Sequence, residues 1–278
     1  MILESRLRTL YALFLRDVRL FYVGNWLFVV NMILYPIPLI GSGIYQYYAL
    51  GNNATVSGLL AKYGFTSLSG IVILGIVVYL LYNRILQVMG RSFQTERWSG
   101  TLETILLTPA SKFMIVLANG LTALVESSPL IFAVVILSWA AYGFQTDITS
   151  PVLFVFVVIS TMVSLLSMGM FFSGVYLAST LMEQLTGAIQ SPLRFISGTT
   201  YPVTALPLVL QYVAFLFPIT YSIQVLRESV LTGAGFYTAA GYLASLYASS
   251  VAFALVGYAV FVLVERRLRR SGEILGVG

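Results

Sequence analysis

Apolar residues along this chain come in long blocks divided by short polar breaks. A helix needs about 20 apolar residues to cross the hydrocarbon of a bilayer. Blocks of that length predict spans at about 24–46, 67–90, 113–143, 151–181, 187–205 and 237–264. Residues 1–22 follow another pattern. Leu3, Leu7, Leu10, Phe14, Val18 and Phe21 recur at spacings of three and four, with Arg6, Arg8, Arg16 and Arg19 among them. That is one face of a helix. It predicts an amphipathic helix lying on the membrane surface rather than a cleavable leader. Residues 206–235 are apolar but carry Pro207 and Pro218, with Pro202 just before them, and each proline would break a spanning helix. The expectation is a re-entrant hairpin of two short helices on the outer side. Irregular backbone at membrane depth survives only where protein or water satisfies it, so the hairpin should cap a cavity.

Composition agrees with this pattern. Of 278 residues, 59% are hydrophobic and 9% charged, with mean hydropathy +0.92. A soluble domain carries roughly 25% charged residues. The fold class expected is an all-α polytopic membrane protein with six transmembrane helices. The sequence has no cysteine and no histidine. Disulfides, Cys/His zinc sites, haem ligation by histidine and Cys–His or Ser–His nucleophiles are therefore excluded from these residues.

The net charge of +5 matters less than where it sits. Arg6, Arg8, Arg16 and Arg19 precede the first span. Arg84, Arg91, Arg97 and Lys112 flank the connection between spans two and three, and Arg266, Arg267, Arg269 and Arg270 follow the last. Twelve of the fifteen basic residues thus fall on one side, which the positive-inside rule makes cytoplasmic. Both termini are expected there, in the plasma (cell inner) membrane. The distribution points to lipid and not to nucleic acid.

The cytoplasmic connection reads "TERWSGTLETILLTPAS". Gly100 breaks the chain, Thr101 can cap a new helix, and Glu103 lies in its first turn, where a carboxylate favours the helix dipole. Leu102, Ile105 and Leu106 form an apolar stripe, and Pro109 stops the helix. Two turns of helix are not stable alone, so this one must pack on neighbouring spans or dock into a partner. Charges also fall inside the spans. Glu126 sits deep in span three and Arg194 in span five. An intramembrane carboxylate is costly and is a functional candidate by default. The two depths are similar enough for Glu126 and Arg194 to pair. The bland alternatives are a structural pair, or a protonated Glu126 bonded to Ser127 and Ser128. Arg227 and Glu228 are expected near the outer interface, as a surface ion pair or as part of an outer gate. In span four, Gly169, Gly174, Ser164 and Ser173 would permit close helix contact.

"ERWSGTLETILLTP" resembles the cytoplasmic coupling segment of ATP-binding-cassette type 2 permeases, the membrane subunits of exporters. Glu96, Arg97, Gly100, Thr101, Leu102, Glu103, Leu106, Leu107, Thr108 and Pro109 match its pattern. "FISGTTYPVTALPLVLQYVAFLFPITYSIQVLRE" is similar to the same family's fifth span and outer hairpin, through Ser197, Gly198, Pro202, Leu206, Pro207, Pro218 and Arg227. The resemblance implies a single permease domain over 1–278, paired with a second permease, identical or not, on two cassette ATPase subunits. The 101–107 helix would insert into the ATPase, with the N-terminal helix beside it. The resemblance makes Glu96, Arg97, Gly100, Thr101, Leu102, Glu103, Leu106 and Pro109 the ATPase-coupling residues. Glu126 and Arg194 become candidates for the substrate pathway, and Pro202, Pro207, Pro218, Arg227 and Glu228 for an outer gate.

No Gly-Lys-Ser/Thr phosphate loop occurs, since neither Lys62 nor Lys112 follows a glycine. This chain is expected to be a transport subunit and not an enzyme. It should bind no cofactor or metal, with ATP and Mg on the partner. The cargo leans towards hydrophobic or amphiphilic molecules. The alternatives are an ion-coupled secondary carrier, which would need internal repeats that halves 1–139 and 140–278 do not display, and a non-transporting membrane anchor of a cytoplasmic complex.

Overall fold

The computed structural model of the chain describes residues 26–50, 67–98, 112–142, 150–177 and 182–271, with isolated positions 11, 12, 14, 15, 19, 58, 61 and 148. The regular elements among them are helical. In chain order they are α1 (Trp26–Leu34), α2 (Pro36–Leu50), α3 (Leu68–Trp98), α4 (Lys112–Glu126), α5 (Ser128–Tyr142), α6 (Pro151–Leu177), α7 (Met182–Ile196), a 3-10 turn (Val203–Ala205), α8 (Leu208–Leu216), α9 (Pro218–Leu231) and α10 (Phe236–Ser271).

Four stretches are long and apolar enough to cross a membrane: Leu68–Ser92, Phe113–Ala140, Pro151–Tyr176 and Phe236–Val264. They match the expected spans two, three, four and six. The bent pair α8 and α9 would make a fifth if counted as one span. The expected first span is divided at Tyr35, because Pro36 has no N–H to continue the helix and its ring crowds the carbonyl four residues back. The expected fifth span, 187–205, is corrected. Its helix begins earlier and stops at Ile196. Gly198 takes φ +76, a left-handed conformation that ends helices, and Pro202 cannot rejoin one. The helix of span two runs past Gly90 to Trp98, while its apolar stretch ends at Ser92. Of the surface helix expected over 1–22, only positions 11, 12, 14, 15 and 19 are described, and these are helical.

The core is built around α3 and α6. Ile71, Tyr82, Ile85, Leu86 and Met89 of α3 are fully buried, as are Leu165 and Met168 of α6. The small residues of span four act as expected. A side chain at Gly174 would press on the backbone of Phe261 in α10, and one at Gly169 would overlap Met89 and Ile85. Gly257 answers from α10, where an added carbon would lie 2.8 Å from Phe171 Cα. Helices in lipid associate through such close approach, because apolar burial alone gives them no preference for each other over acyl chains. Ser164 meets Ser222 of α9 at 2.9 Å.

Residues 206–235, expected to form a hairpin, hold two short helices meeting at 95°, the geometry of a broken span or of a re-entrant loop. Pro207 caps α8 and Pro218 is the first residue of α9, positions where a missing N–H costs nothing. Thr220 Oγ1 donates to Ala214 O at 2.6 Å and closes the corner. Gln211 Nε2 reaches back to Leu206 O at 2.7 Å and holds the preceding 3-10 turn.

Gly75 of α3 is the tightest point. A methyl group there would overlap the Thr199 carbonyl and lie 2.7 Å from Arg227 Nη2. Gly75→Ala should lower stability by about 3 kcal/mol, the upper range for overpacking a rigid site. Gly241 in α10 has nothing within 4 Å of an added carbon. Gly241→Ala should be neutral or gain roughly 0.5–1 kcal/mol from backbone entropy. Thermal unfolding of the two purified variants checks both signs.

Candidate functional site

Arg227 lies in the middle of α9, among residues that are nearly all buried, and is itself 0% exposed. An uncompensated guanidinium at such a place would be prohibitively costly. Here it is held by carbonyl oxygens. Its Nε and Nη2 donate to Ile71 O at 3.1 and 2.7 Å. Nη2 also donates to Thr199 O at 2.8 Å, and Nη1 to Tyr201 O at 3.4 Å. The intervening carbonyl, Thr200 O, accepts from Tyr47 Oη of α2 at 2.7 Å. Three consecutive carbonyls of the loop after α7 are therefore each taken by a side chain from another helix. The left-handed turn at Gly198 starts that run, and Ser197 Oγ and Thr199 Oγ1 brace it at 3.0 Å.

This overturns the surface ion pair with Glu228, one of the two expected alternatives for Arg227. It is the most enclosed charge in the described structure, and its partners are backbone carbonyls, not Glu228. Glu228 is half-buried. Pro202, Pro207 and Pro218 sit at the turns before the 3-10 turn, α8 and α9.

The second charged feature joins α3 to α4. Arg84 Nη2 donates to Glu126 Oε2 in an ion pair. The side chains are 18% and 8% exposed. Glu126 ends α4, where Ser127 breaks the helix ahead of Pro129. Ser127 Oγ donates to Ala123 O at 2.6 Å. The chain-order partner of Glu126 is thus Arg84 and not Arg194. Arg84 lies inside the apolar stretch Leu68–Ser92, and α3 continues to Trp98. Arg194 is half-buried on α7, its guanidinium carbon 5.8 Å from the ring centroid of Tyr79 in α3. That distance suits a cation–π contact. Arg194 and Glu126 therefore both contact α3, at different heights.

Glu96 and Arg97 fall in the last turn of α3, and their side chains lie outside the described residues. So do Gly100, Thr101, Leu102, Glu103, Leu106 and Pro109, and with them the expected coupling helix. Among the described residues no cluster of three or more Asp, Glu, Cys or His could hold a metal ion.

These features define a polytopic helical membrane protein with a broken hairpin pinned to its bundle and charges neutralised inside it. Residues 9–231 match the ABC-2 type transporter family, and the chain belongs to that family. The match includes both segments on which the resemblance rested. The chain is also 26% identical over 195 residues to ABC transporter G family member 20 of Dictyostelium discoideum, covering 69% of this chain. It spans about a quarter (26%) of that relative's length.

Two predictions follow from the charges. Glu126→Gln or Arg84→Leu alone should cost about 3–5 kcal/mol, the usual result of stranding one member of a buried pair. The double variant Arg84→Leu/Glu126→Leu should recover most of that in thermal unfolding. Arg227→Leu strands the Thr199 and Tyr201 carbonyls and should cost about 3 kcal/mol, at roughly 1–3 for each group. Arg227→Lys should fall between, because an ammonium cannot fork across three carbonyls. The same unfolding measurement in detergent ranks the series.

Proposed function

We propose that this chain is the membrane-spanning permease of an ATP-driven exporter. It works as a dimer with a second permease copy on separate cassette ATPase subunits, which bind ATP and Mg. It lies in the plasma membrane with both termini cytoplasmic and moves a hydrophobic or amphiphilic cargo outward from the cytoplasm or inner leaflet. The observation that carries this reading is the family match over 9–231, a range that includes the whole proposed coupling segment. Membrane domains of this family are transport subunits whose ATPase is a separate chain or a fused domain.

In this reading the segment from Glu96 to Pro109 receives force from the ATPase. Leu102 and Leu106 dock its apolar stripe, and Gly100 and Pro109 set its ends. Arg194, stacked on Tyr79, is the stronger of the two candidates for contact with cargo. It is half-buried, whereas Glu126 is taken up by Arg84. The hairpin closes the outer side, with Arg227 as its anchor. The alternatives of a secondary carrier or a passive anchor gain nothing from the charges, because the intramembrane carboxylate already has its counter-ion.

The test uses the chain reconstituted with its cassette ATPase. Leu106→Asp should reduce ATP-driven transport at least tenfold and release the ATPase on purification. The amount of chain in the membrane and its unfolding temperature should not change. Full transport by Leu106→Asp would remove the coupling role.

A further inference from the structure

A cavity of about 150 Å³ lies between α3, α5 and α6. Leu74 and Val78 of α3, Val134 of α5, Val158 of α6 and Leu226 of α9 line it. Its exposed wall is entirely hydrocarbon. Ser138, the one serine on its wall, turns its hydroxyl to Val134 O. The mouth is on the outside of the bundle, because Val135 lines the cavity and is 57% exposed. Around that mouth the surface is also apolar: Phe132, Ile136, Val155 and Ile159 are all exposed. The depth is set by the helices. Leu74 and Val78 lie 6 and 10 residues into the span that starts at Leu68, so about 9–15 Å from its end.

Three occupants can be weighed. Water is excluded, because the wall offers one unpartnered polar atom, Thr161 Oγ1, and a buried water needs roughly two to four polar partners. A helix of a second copy is too large: one turn, roughly 10 Å across and 5.4 Å tall, fills about 400 Å³. A segment of hydrocarbon chain about six carbons long fits. Cavities of about 150 Å³ with aliphatic walls admit benzene, a six-carbon solute. The medium at the mouth is itself made of acyl chains, and an empty slot forfeits dispersion contacts on every wall.

We propose that this slot binds one acyl chain of a bilayer lipid from the leaflet next to the hairpin. The bound chain also bears on the hairpin. Leu226, which it touches, precedes Arg227, so a seated chain fills the space beneath the residue that anchors α9 to α3. The site rests on α3, α5 and α6 being membrane spans. It needs neither transport nor an ATPase, so its failure would leave the proposed function untouched.

The test uses the full chain in phosphatidylcholine nanodiscs containing a phosphatidylcholine with a diazirine at the middle of one acyl chain. After irradiation, adducts are mapped by mass spectrometry. Leu74, Leu81 and Leu226 line the slot and are at most 8% exposed, so a probe lying along the bundle surface does not reach them. The proposal expects adducts on these three. Val158→Phe, which fills the slot, should reduce them at least fivefold while adducts on Val155 and Ile159 remain. Val155→Phe, on the lipid-facing surface, should leave all of them unchanged. If Val158→Phe does not fold, labelling of the three buried residues in the unaltered chain decides alone. Adducts confined to Phe132, Val155 and Ile159 would overturn the site. So would buried adducts that persist unchanged in a folded Val158→Phe, or crosslinks through Val135 between two copies in place of lipid adducts.

Discussion

The guanidinium of Arg227 is the contact on which the hairpin end of the molecule depends. It is fully buried at the meeting point of α3, α9 and the loop after α7, and it is satisfied by backbone carbonyls alone. Arginine suits this place because its donors lie in a fixed plane and can address several acceptors at once. Lysine has no such fork. The loop must in turn present its carbonyls inward, which is why Gly198 adopts a left-handed conformation. The helix opposite must let the loop approach, which is why position 75 has no side chain. Tyr47 takes the remaining carbonyl of the run and so brings α2 into the same knot. Without the arginine, the prolines would still shape a hairpin. The buried face of α9 and the Ser164–Ser222 bond would still hold it to α6, but its hydrogen bonds to Ile71 of α3 and to the loop after α7 would be lost.

Much of this fold was legible in the sequence, and the reasons are physical. Blocks of about 20 apolar residues leave little choice of structure in a bilayer, so the spans over Leu68–Ser92, Phe113–Ala140, Pro151–Tyr176 and Phe236–Val264 could be read from length alone. The hairpin could be read from Pro207 and Pro218, since proline starts helices as reliably as it breaks them. Gly169 and Gly174 could be read from the need for close approach between helices. The failures were failures of partner and of register. The partner of a buried charge is set by tertiary packing, and neither backbone carbonyls nor a neighbouring helix announce themselves in one dimension. Arg227 therefore looked like a surface residue and Glu126 like a mate for Arg194. The helix of span two was expected to stop at Gly90, yet it continues to Trp98. An isolated glycine inside a packed helix costs only about 1 kcal/mol, and neighbours that bury Met89 and Ser92 override it. Residues 187–205 misled for the opposite reason: their apolar composition continues past Ile196, but the backbone at Gly198 does not.

The three buried or half-buried arginines among the described residues show three ways of keeping a cation inside an apolar bundle. Arg227 uses carbonyls, Arg84 uses a carboxylate, and Arg194 uses the face of a tyrosine. All three solutions meet on α3. From one end of that helix to the other come Ile71 and Gly75 against Arg227, Tyr79 beneath Arg194, and Arg84 paired to Glu126. The helix then runs unbroken to Trp98, 31 residues in all, or about 46 Å. A continuous helix of that length transmits displacement along its axis with little loss, because its hydrogen bonds are internal. Under the proposed function its far end carries Glu96 and Arg97 into the coupling segment, and its near end is bound to the hairpin through Arg227. A push received at one end is then delivered at the other by a single element, with the Arg84–Glu126 pair carrying α4 along with it. The acyl-chain slot lies against the same helix, between Leu74 and Val78. Lipid seated there would stiffen the contact between rod and hairpin.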